Sequence, residues 1–247
     1  MKYYEKILDL KCFTLQDVIS LVGGNQNTAK SLLRQYMQKG YIQSVKRNLY
    51  AAVSLETGMP VAIPYLIASC ITPTSYVSHR SAFAYYGYTN QVSYEMTVSS
   101  DTPFRKFEFD GTTYRYISSR ISAGVEKDGM IRVTDKERTT LDFIDDFDHI
   151  GGLEELLKGL EMMPYLSEDK LLHYLQLYDK AILYQKAGYV LEHFQESLKL
   201  SDTFFKVCSQ RKGKSKRYFS SSMAKNNMVY NGKWSLMVPR DLLYISE

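Results

Sequence analysis

Five side chains that can hydrogen-bond to nucleic acid recur at helical spacing early in the chain. They are Gln26, Asn27, Lys30, Ser31 and Arg34. Amide side chains pair bidentately with adenine, whereas arginine and lysine reach guanine or phosphate oxygens. A second polar group follows in a short alternating stretch, at Lys46, Arg47 and Asn48. Side chains at such a tip can contact the phosphate backbone or the minor groove, so the pattern predicts an interface for double-stranded DNA.

A denser cationic run lies near the end of the chain. It comprises Arg211, Lys212, Lys214, Lys216 and Arg217. Aromatic residues flank the run on both sides, and this composition indicates a second patch that contacts phosphates. Two other interpretations stay open: a solvated loop that joins two strands, and a segment that pairs with the acidic middle of the same chain.

An acidic cluster is the chain's best candidate for catalysis. It consists of Asp142, Asp145, Asp146 and Asp148 beside His149. Carboxylates at this density can hold Mg²⁺, as a nuclease or a phosphoryl transferase requires. We nevertheless expect these aspartates on the solvent side of a helix that ends at a Gly-Gly pair, and no second motif supplies partner ligands. The sequence therefore predicts no catalytic residue, no metal site, no cofactor and no enzymatic activity, with a metal-dependent nuclease as an alternative.

The spacing of apolar residues indicates which helix positions the five polar side chains from Gln26 to Arg34. Two stripes have helical spacing: Leu15, Val18, Ile19 and Val22, then Ala29, Leu32, Leu33 and Tyr36. Thr14 and Asp17 form an N-cap signal for the first helix, Asn25 or Asn27 can cap the second, and Gly40 ends it. A basic hairpin then runs to Val53, so residues 1–53 read as a winged helix-turn-helix. The alternatives are a helical domain with a solvated polar face and a winged helix that binds protein.

The remaining residues, 60–247, predict a larger mixed domain after a linker at 54–60. Helices are expected at 60–70, 75–87, 153–163, 167–177 and 180–200, and a helix capped by Thr134 is expected to reach Phe147. Alternation at 92–98 and the Asp110-Gly111 turn predict strands, as does 130–133. Residues 204–247 read as short strands around the Asn231-Gly232 turn. The predicted fold class is α+β.

Composition and charge limit the class of protein. The net charge of +4 conceals a segregation, because residues 1–53 carry eight Lys/Arg and three Asp/Glu, and residues 203–247 carry nine and two. The middle segment is acidic, and such a distribution bears on polyanion binding. No apolar run is long enough for a transmembrane helix, and the N-terminus lacks an apolar signal region. Three cysteines without metal spacing indicate a reducing, cytoplasmic location.

Several short motifs occur in an order that resembles a known family. They are Lys46-Arg47-Asn48-Leu49-Tyr50, Tyr65-Leu66-Ile67-Ala68-Ser69, residues 78–88 (SHRSAFAYYGY), Thr97-Val98, residues 136–142 (KERTTLD) and residues 234–239 (WSLMVP). This order resembles the AbiEi antitoxins of bacterial abortive-infection (phage defence) systems, and the resemblance spans nearly the whole chain.

The resemblance implies a protein with two functions. The N-terminal winged helix would bind inverted repeats in the promoter of its own operon and repress it, using the recognition-helix and wing residues named above. The C-terminal domain would counteract a nucleotidyltransferase toxin in the type IV manner, which requires no stable complex between the two proteins. The alternatives are a winged-helix transcription factor whose C-terminal domain senses another signal and, from the residues alone, the nuclease.

Overall fold

Capping signals fix the helices at the start of the chain in the computed structural model, which describes residues 2–89, 91–220 and 228–240. The first elements are α1 (Tyr4–Leu10), β1 (Cys12–Phe13), α2 (Leu15–Leu21), α3 (Gln26–Gln38), β2 (Ile42–Lys46) and β3 (Leu49–Ala52). Thr14 and Asp17 form a reciprocal capping box at α2, and the Asn25 side chain accepts from Thr28 N at α3. These elements lie where the hydrophobic spacing predicts them.

The apolar stripes of the first three helices meet in one core. Its buried residues include Ile7, Val18, Ala29, Leu33 and Tyr36, and Leu32 packs at its edge. Strand β3 lies between β1 and β2 in a three-stranded sheet. The hairpin is antiparallel and carries an irregularity between Ser44 and Lys46. Burial of one face of each element, rather than intrinsic propensity, accounts for most of the stability of helices this short.

The chain continues through two further helices and a six-stranded sheet. In order these elements are α4 (Pro64–Cys70), β4 (Tyr76–Val77), α5 (His79–Tyr85), β5 (Glu95–Ser99), β6 (Phe107–Phe109), β7 (Thr112–Tyr116), β8 (Val125–Asp128) and β9 (Ile131–Thr134). The sheet has the order β6-β7-β5-β4-β9-β8. The predicted Asp110-Gly111 turn is confirmed, since both residues have positive φ and join paired strands. The helix predicted at 75–87 begins only at His79, because Tyr76 and Val77 pair with β5.

Helices dominate the rest of the chain. They are α6 (Lys136–Ile150), α7 (Gly152–Met162), α8 (Glu168–Tyr178), α9 (Ala181–Glu192) and α10 (Asp202–Arg211), followed by β10 (Arg217–Tyr218), β11 (Met228–Asn231) and β12 (Leu236–Pro239). The last three strands form a small sheet in the order β10-β12-β11. The described residues thus form ten helices and three sheets, a mixed α/β chain that agrees with the α+β prediction.

Three predictions in this part of the chain need correction. Asp135, not Thr134, caps α6, since its side chain accepts from Arg138 N at 2.8 Å. Helix α9 ends at Glu192 rather than near residue 200. The segment after residue 204 is not wholly extended, because Ser201 caps α10 and this helix buries Phe204, Phe205 and Cys208. A Ser-Asp pair before an apolar stripe is the helix-start signal that the prediction overlooked.

The chain divides into two compact units, and the boundary between them does not coincide with the predicted linker. The first unit comprises Met1–Val77, Ser93–Ser118 and Lys127–Arg132, and the second comprises Ser78–Val92, Ser119–Glu126 and Val133–Glu247. Residues 54–60 form a turn that returns to the first sheet, since Val61 N donates to Ala52 O at 2.8 Å. The first 53 residues therefore share a compact unit with α4 and β4 to β7, whereas the predicted boundary separates them.

Candidate nucleic-acid interface

The exposed face of α3 presents the five polar side chains that the sequence predicts. Gln26, Asn27, Lys30, Ser31 and Arg34 are all exposed, whereas Ala29, Leu33 and Tyr36 on the opposite face are buried. At 13 residues, α3 is about 20 Å long. A helix of this length with a polar face fits the B-DNA major groove, which is about 12 Å wide.

The charged side chains of the segment from α3 to β3 are all cationic. Between Asp17 and Glu56 the chain carries no carboxylate, and its cationic residues there are Lys30, Arg34, Lys39, Lys46 and Arg47. Lys30, Arg34, Lys39 and Arg47 are exposed. A segment whose charged side chains are all cationic attracts a polyanion over distances of about 10 Å at moderate salt.

The three residues at the hairpin tip have three different environments. Arg47 is exposed. The ammonium of Lys46 lies 5.3 Å from the centroid of the Phe104 ring and 5.6 Å from that of Phe107, within the range of a cation–π interaction. Burial lowers the pKa of Lys46. Lys46 is thus held against the strands of its own unit, and Arg47 is the cation that the tip presents to solvent.

Asn48 has a structural role that the sequence prediction missed. Its φ of 62° is in the left-handed region, where asparagine is tolerated better than most residues. Its side-chain oxygen accepts a hydrogen bond from Leu15 N at 3.1 Å. An asparagine directly after two basic hairpin residues is a recognisable turn signal, and here the same side chain also accepts from the first residue of α2.

The second cationic run belongs to the second unit and surrounds the start of β10. Arg211, Lys214, Lys216 and Arg217 are exposed, whereas Lys212 is half-buried and donates to Ser235 Oγ at 3.3 Å. Lys216 lies 5.5 Å from the centroid of the exposed Tyr230 ring. Within residues 2–89, 91–220 and 228–240, no ion pair joins this run to a carboxylate, so the interpretation that it pairs with the acidic middle finds no support there.

Only part of the acidic cluster lies on the solvent side of its helix, which corrects the prediction, since the Asp146 side chain is 40% exposed but that of Asp142 only 4%. Asp142 is buried, and its Oδ1 accepts from Arg138 Nε at 2.9 Å and from the Tyr178 hydroxyl. Asp145 binds Lys180 Nζ at 2.6 Å. Each of the two carboxylates thus has a cationic partner, although Asp142 Oδ2 is buried without a hydrogen-bond partner among the described residues. Burial raises the pKa of Asp145 despite the nearby cations.

The last two aspartates also have partners, and the group does not converge on one point. Asp146 contacts His149 Nδ1 at 2.6 Å, and Asp148 accepts from Ser220 Oγ at 2.6 Å. In the part of the chain that the structure describes, no three His, Cys, Asp or Glu side chains are arranged to share a metal ion. The cluster therefore makes contacts within α6 and from α6 to Tyr178, Lys180 and Ser220.

The helices of the chain are short, and α6 has 15 residues, whereas a helix that spans a membrane needs about 20. Within the described ranges, none is long and apolar enough to cross a bilayer.

Comparison with known proteins gives a fold relationship without a function. No protein-family model and no curated protein matches the sequence. Among solved structures, the RV2827C protein from Mycobacterium tuberculosis is similar, with a TM-score of 0.63 and 14% sequence identity. The match covers 95% of this chain and 89% of that one. At this identity the likeness shows the fold alone, so the architecture of this chain occurs in a second protein over nearly its full length.

Proposed function

We propose that residues 1–53 form a winged helix-turn-helix that binds double-stranded DNA. The observation that carries the proposal is the exposed polar face of α3 within a stretch that holds five cations and no carboxylate. In this arrangement α3 enters the major groove, where Gln26, Asn27 and Arg34 meet base edges. Arg47 at the hairpin tip contacts the phosphate backbone.

The DNA target follows from the resemblance to AbiEi antitoxins. Two copies of the domain bind inverted repeats in the operon promoter, and occupancy of that site represses transcription of the antitoxin itself. A palindromic site places two recognition helices in successive major grooves on one side of the duplex, about 34–36 Å apart. Autorepression then needs DNA binding and no further chemistry.

We further propose that the protein counteracts a nucleotidyltransferase toxin in the cytoplasm, without catalysis and without a stable complex. The motifs behind this proposal lie in packed elements: residues 78–88 include α5, residues 136–142 begin α6, and residues 234–239 include β12. Their buried members include Phe83, Leu141 and Trp234. The motifs therefore supply core residues, which is consistent with a family whose shared sequence motifs maintain the fold.

The DNA part of the proposal is tested by promoter binding of the full-length chain. Lys30→Ala and Arg34→Ala should each weaken binding by ~1–3 kcal/mol if the side chain contacts a base. Lys158→Ala is a matched control, since it removes one exposed cation that pairs with Glu154 on α7. If both α3 variants bind like the control, α3 does not face DNA.

The antitoxin part is tested with the same variants in cells that express the neighbouring toxin. Deletion of residues 1–53 is unsuitable as a test. These residues share the first unit with the chain up to Val77 and with β5 to β7. Full-length Lys30→Ala/Arg34→Ala should lose repression and still rescue growth. Repression by wild type without any rescue would instead favour a transcription factor whose second unit senses another signal.

The exposed cations around β10 provide a second DNA test. The triple variant Lys214→Ala/Lys216→Ala/Arg217→Ala should lower the salt dependence of promoter binding if this run contacts phosphates. An unchanged salt dependence would identify the run as a solvated loop.

A further inference from the structure

Two cysteines that are far apart in sequence meet in the first unit. Cys12 lies in β1, and Cys70 is the last residue of α4. Helix α4 packs against β1, which brings the two thiols within reach of each other, and both are free thiols. Cysteine counting along the sequence gives no hint of this pair, because only the packing of α4 against β1 brings the two sulfurs together.

The backbone on both sides of the pair is firmly held. Cys12 is paired with Ala51 of β3, the strand that continues from the hairpin tip. At the end of α4, Arg132 donates to the carbonyl oxygens of Ser69, Thr72 and Pro73. These bonds satisfy carbonyl groups that a helix end leaves free, so the position of Cys70 is fixed by its own unit.

The pair is accessible from one side. A cleft of about 580 Å³ in the first unit is lined by both cysteines and by Arg132, Asp17, Lys46 and Arg47. Cys70 is half-buried, whereas Cys12 is buried. Cys70 is therefore the more accessible of the two thiols to a small oxidant that enters the cleft.

The electrostatics make the two thiols unequal. The hydrogen bond from Cys12 lowers the pKa of Cys70, and the nearby Arg132 guanidinium lowers it further, against opposing effects of burial and Asp17. The same hydrogen bond and burial raise the pKa of Cys12. The thiolate is the nucleophilic form of cysteine, so Cys70 is suited to attack an oxidant and Cys12 to react in the second step.

We propose that Cys70 and Cys12 form a dithiol that a hydroperoxide oxidises to an intramolecular disulfide between β1 and α4. In the first step the Cys70 thiolate attacks the terminal oxygen of hydrogen peroxide. The O–O bond breaks, a sulfenic acid forms, and the second oxygen leaves as water after taking a proton. In the second step the Cys12 sulfur displaces the sulfenic hydroxyl. The S–S bond forms as another water leaves, so that two thiols and one peroxide give one disulfide and two waters.

The disulfide joins β1 to the end of α4. Strand β1 leads into Thr14, which caps α2, and it pairs with β3 of the hairpin. Formation of the disulfide needs the two sulfurs to approach each other to about 2.05 Å. The reaction itself does not depend on whether the protein binds DNA.

The test is peroxide treatment of folded full-length protein, followed by thiol counting and peptide mass mapping. Wild type should lose two of its three thiols and yield a peptide pair that joins Cys12 to Cys70. Cys208→Ser is the matched control and should behave like wild type, because the Cys208 thiol is buried and burial raises its pKa to about 12. Cys12→Ala should stop at a Cys70 sulfenic acid that a 1,3-dicarbonyl reagent traps.

Wild-type protein provides the decisive outcomes without any variant. Retention of all three thiols at a peroxide concentration that oxidises glutathione would overturn the proposal. So would a disulfide that involves Cys208, or one that joins two copies of the chain. Circular dichroism before and after treatment establishes that the reacting protein is folded, and loss of the native spectrum before thiol loss would also count against the proposal.

Discussion

The side-chain oxygen of Asn48 lies 3.1 Å from the backbone nitrogen of Leu15. The tip of the β2–β3 hairpin thereby supplies an acceptor to the first turn of α2, where backbone N–H groups lack partners within the helix. Thr14 and Asp17 satisfy neighbouring donors. The hairpin and α2 are therefore connected by a hydrogen bond between residues 33 positions apart, so Asn48, which the sequence predicts as a DNA contact, instead helps to hold the hairpin against α2.

Removal of the Asn48 side chain should destabilise the first unit. Asn48→Ala loses the hydrogen bond to Leu15 N and places at positive φ a residue that tolerates the left-handed region less well than asparagine, for a combined cost of about 1–2 kcal/mol. Asn48→Gly keeps the backbone conformation and loses only the acceptor, so it should cost less. Chemical denaturation measures both, and equal stability of all three proteins would show that the hydrogen bond contributes nothing.

Arg47 and Lys46 should differ in how they affect DNA binding. Arg47→Ala should reduce the slope of log K against log salt by ~0.9 for a lost phosphate contact. Lys46→Ala should change the slope less, because its ammonium lies over Phe104 and Phe107. Titrations at several salt concentrations give both slopes, with Lys158→Ala as the reference. A larger effect of Lys46 than of Arg47 would contradict this placement.

The buried ion pair of α6 should be sensitive to loss of one partner. Arg138 is fully buried and Asp142 is 4% exposed, and Arg138 also donates to the carbonyl oxygens of Ile121 and Ala123. Asp142→Asn leaves the guanidinium uncompensated and should cost ~3–5 kcal/mol.

The double variant Arg138→Met/Asp142→Leu separates charge from packing at this site. It removes both charges and should recover part of the loss, because an isolated buried charge costs more than an absent pair. Denaturant midpoints report the comparison. A double variant less stable than Asp142→Asn would show that the hydrogen bonds of Arg138 dominate.

Gly188 should tolerate no larger side chain, because Trp234 packs directly on α9. A Cβ built at Gly188 would overlap the six-membered part of the Trp234 ring. The ring is fixed by a bond from its Nε1 to Glu192 at 2.8 Å. Gly188→Ala should therefore cost ~1–3 kcal/mol through overpacking and shift the indole to a more polar environment.

Tryptophan fluorescence measures that change directly, since Trp234 is the chain's single tryptophan. Gly213→Ala is the control, because its Cβ would meet Ala181 at an ordinary 3.4 Å. An unshifted emission spectrum in Gly188→Ala would show that the Trp234 ring does not pack directly on Gly188.

Alkaline pH should destabilise the second unit through buried tyrosines. Burial raises the pKa of Tyr189 from 10.0 to about 12. The unfolded chain therefore ionises first, so the stabilising effect is complete below pH 10 and is lost as pH rises toward 12. For one such residue the loss is about 2 kcal/mol at pH 12.

Comparison with Tyr189→Phe isolates this contribution from those of other tyrosines. The difference in unfolding free energy between wild type and the variant should be constant near neutral pH and should change between pH 10 and 12, in favour of the variant. A difference that does not vary with pH would show that Tyr189 ionises alike in the folded and unfolded chain.

Local signals in the sequence determined the early elements and several turns. Thr14 with Asp17 marks the start of α2, the spacing of Ala29, Leu33 and Tyr36 defines the buried face of α3, and Asp110-Gly111 specifies a two-residue hairpin turn. Each depends on neighbours within a few residues, since capping, helical periodicity and positive φ are local properties. The exposed stripe of α3 followed from the same spacing.

Tertiary structure decided what those elements and side chains contact. Partners distant in sequence bury Asp142, hold Lys46 over two phenylalanine rings and aim Asn48 at Leu15. Packing likewise joins residues 1–53 to later strands and brings Cys12 to Cys70. Burial, ion pairing and thiol contact depend on which surfaces meet, and a one-dimensional pattern carries that information only weakly because many distant segments share the same hydrophobic periodicity.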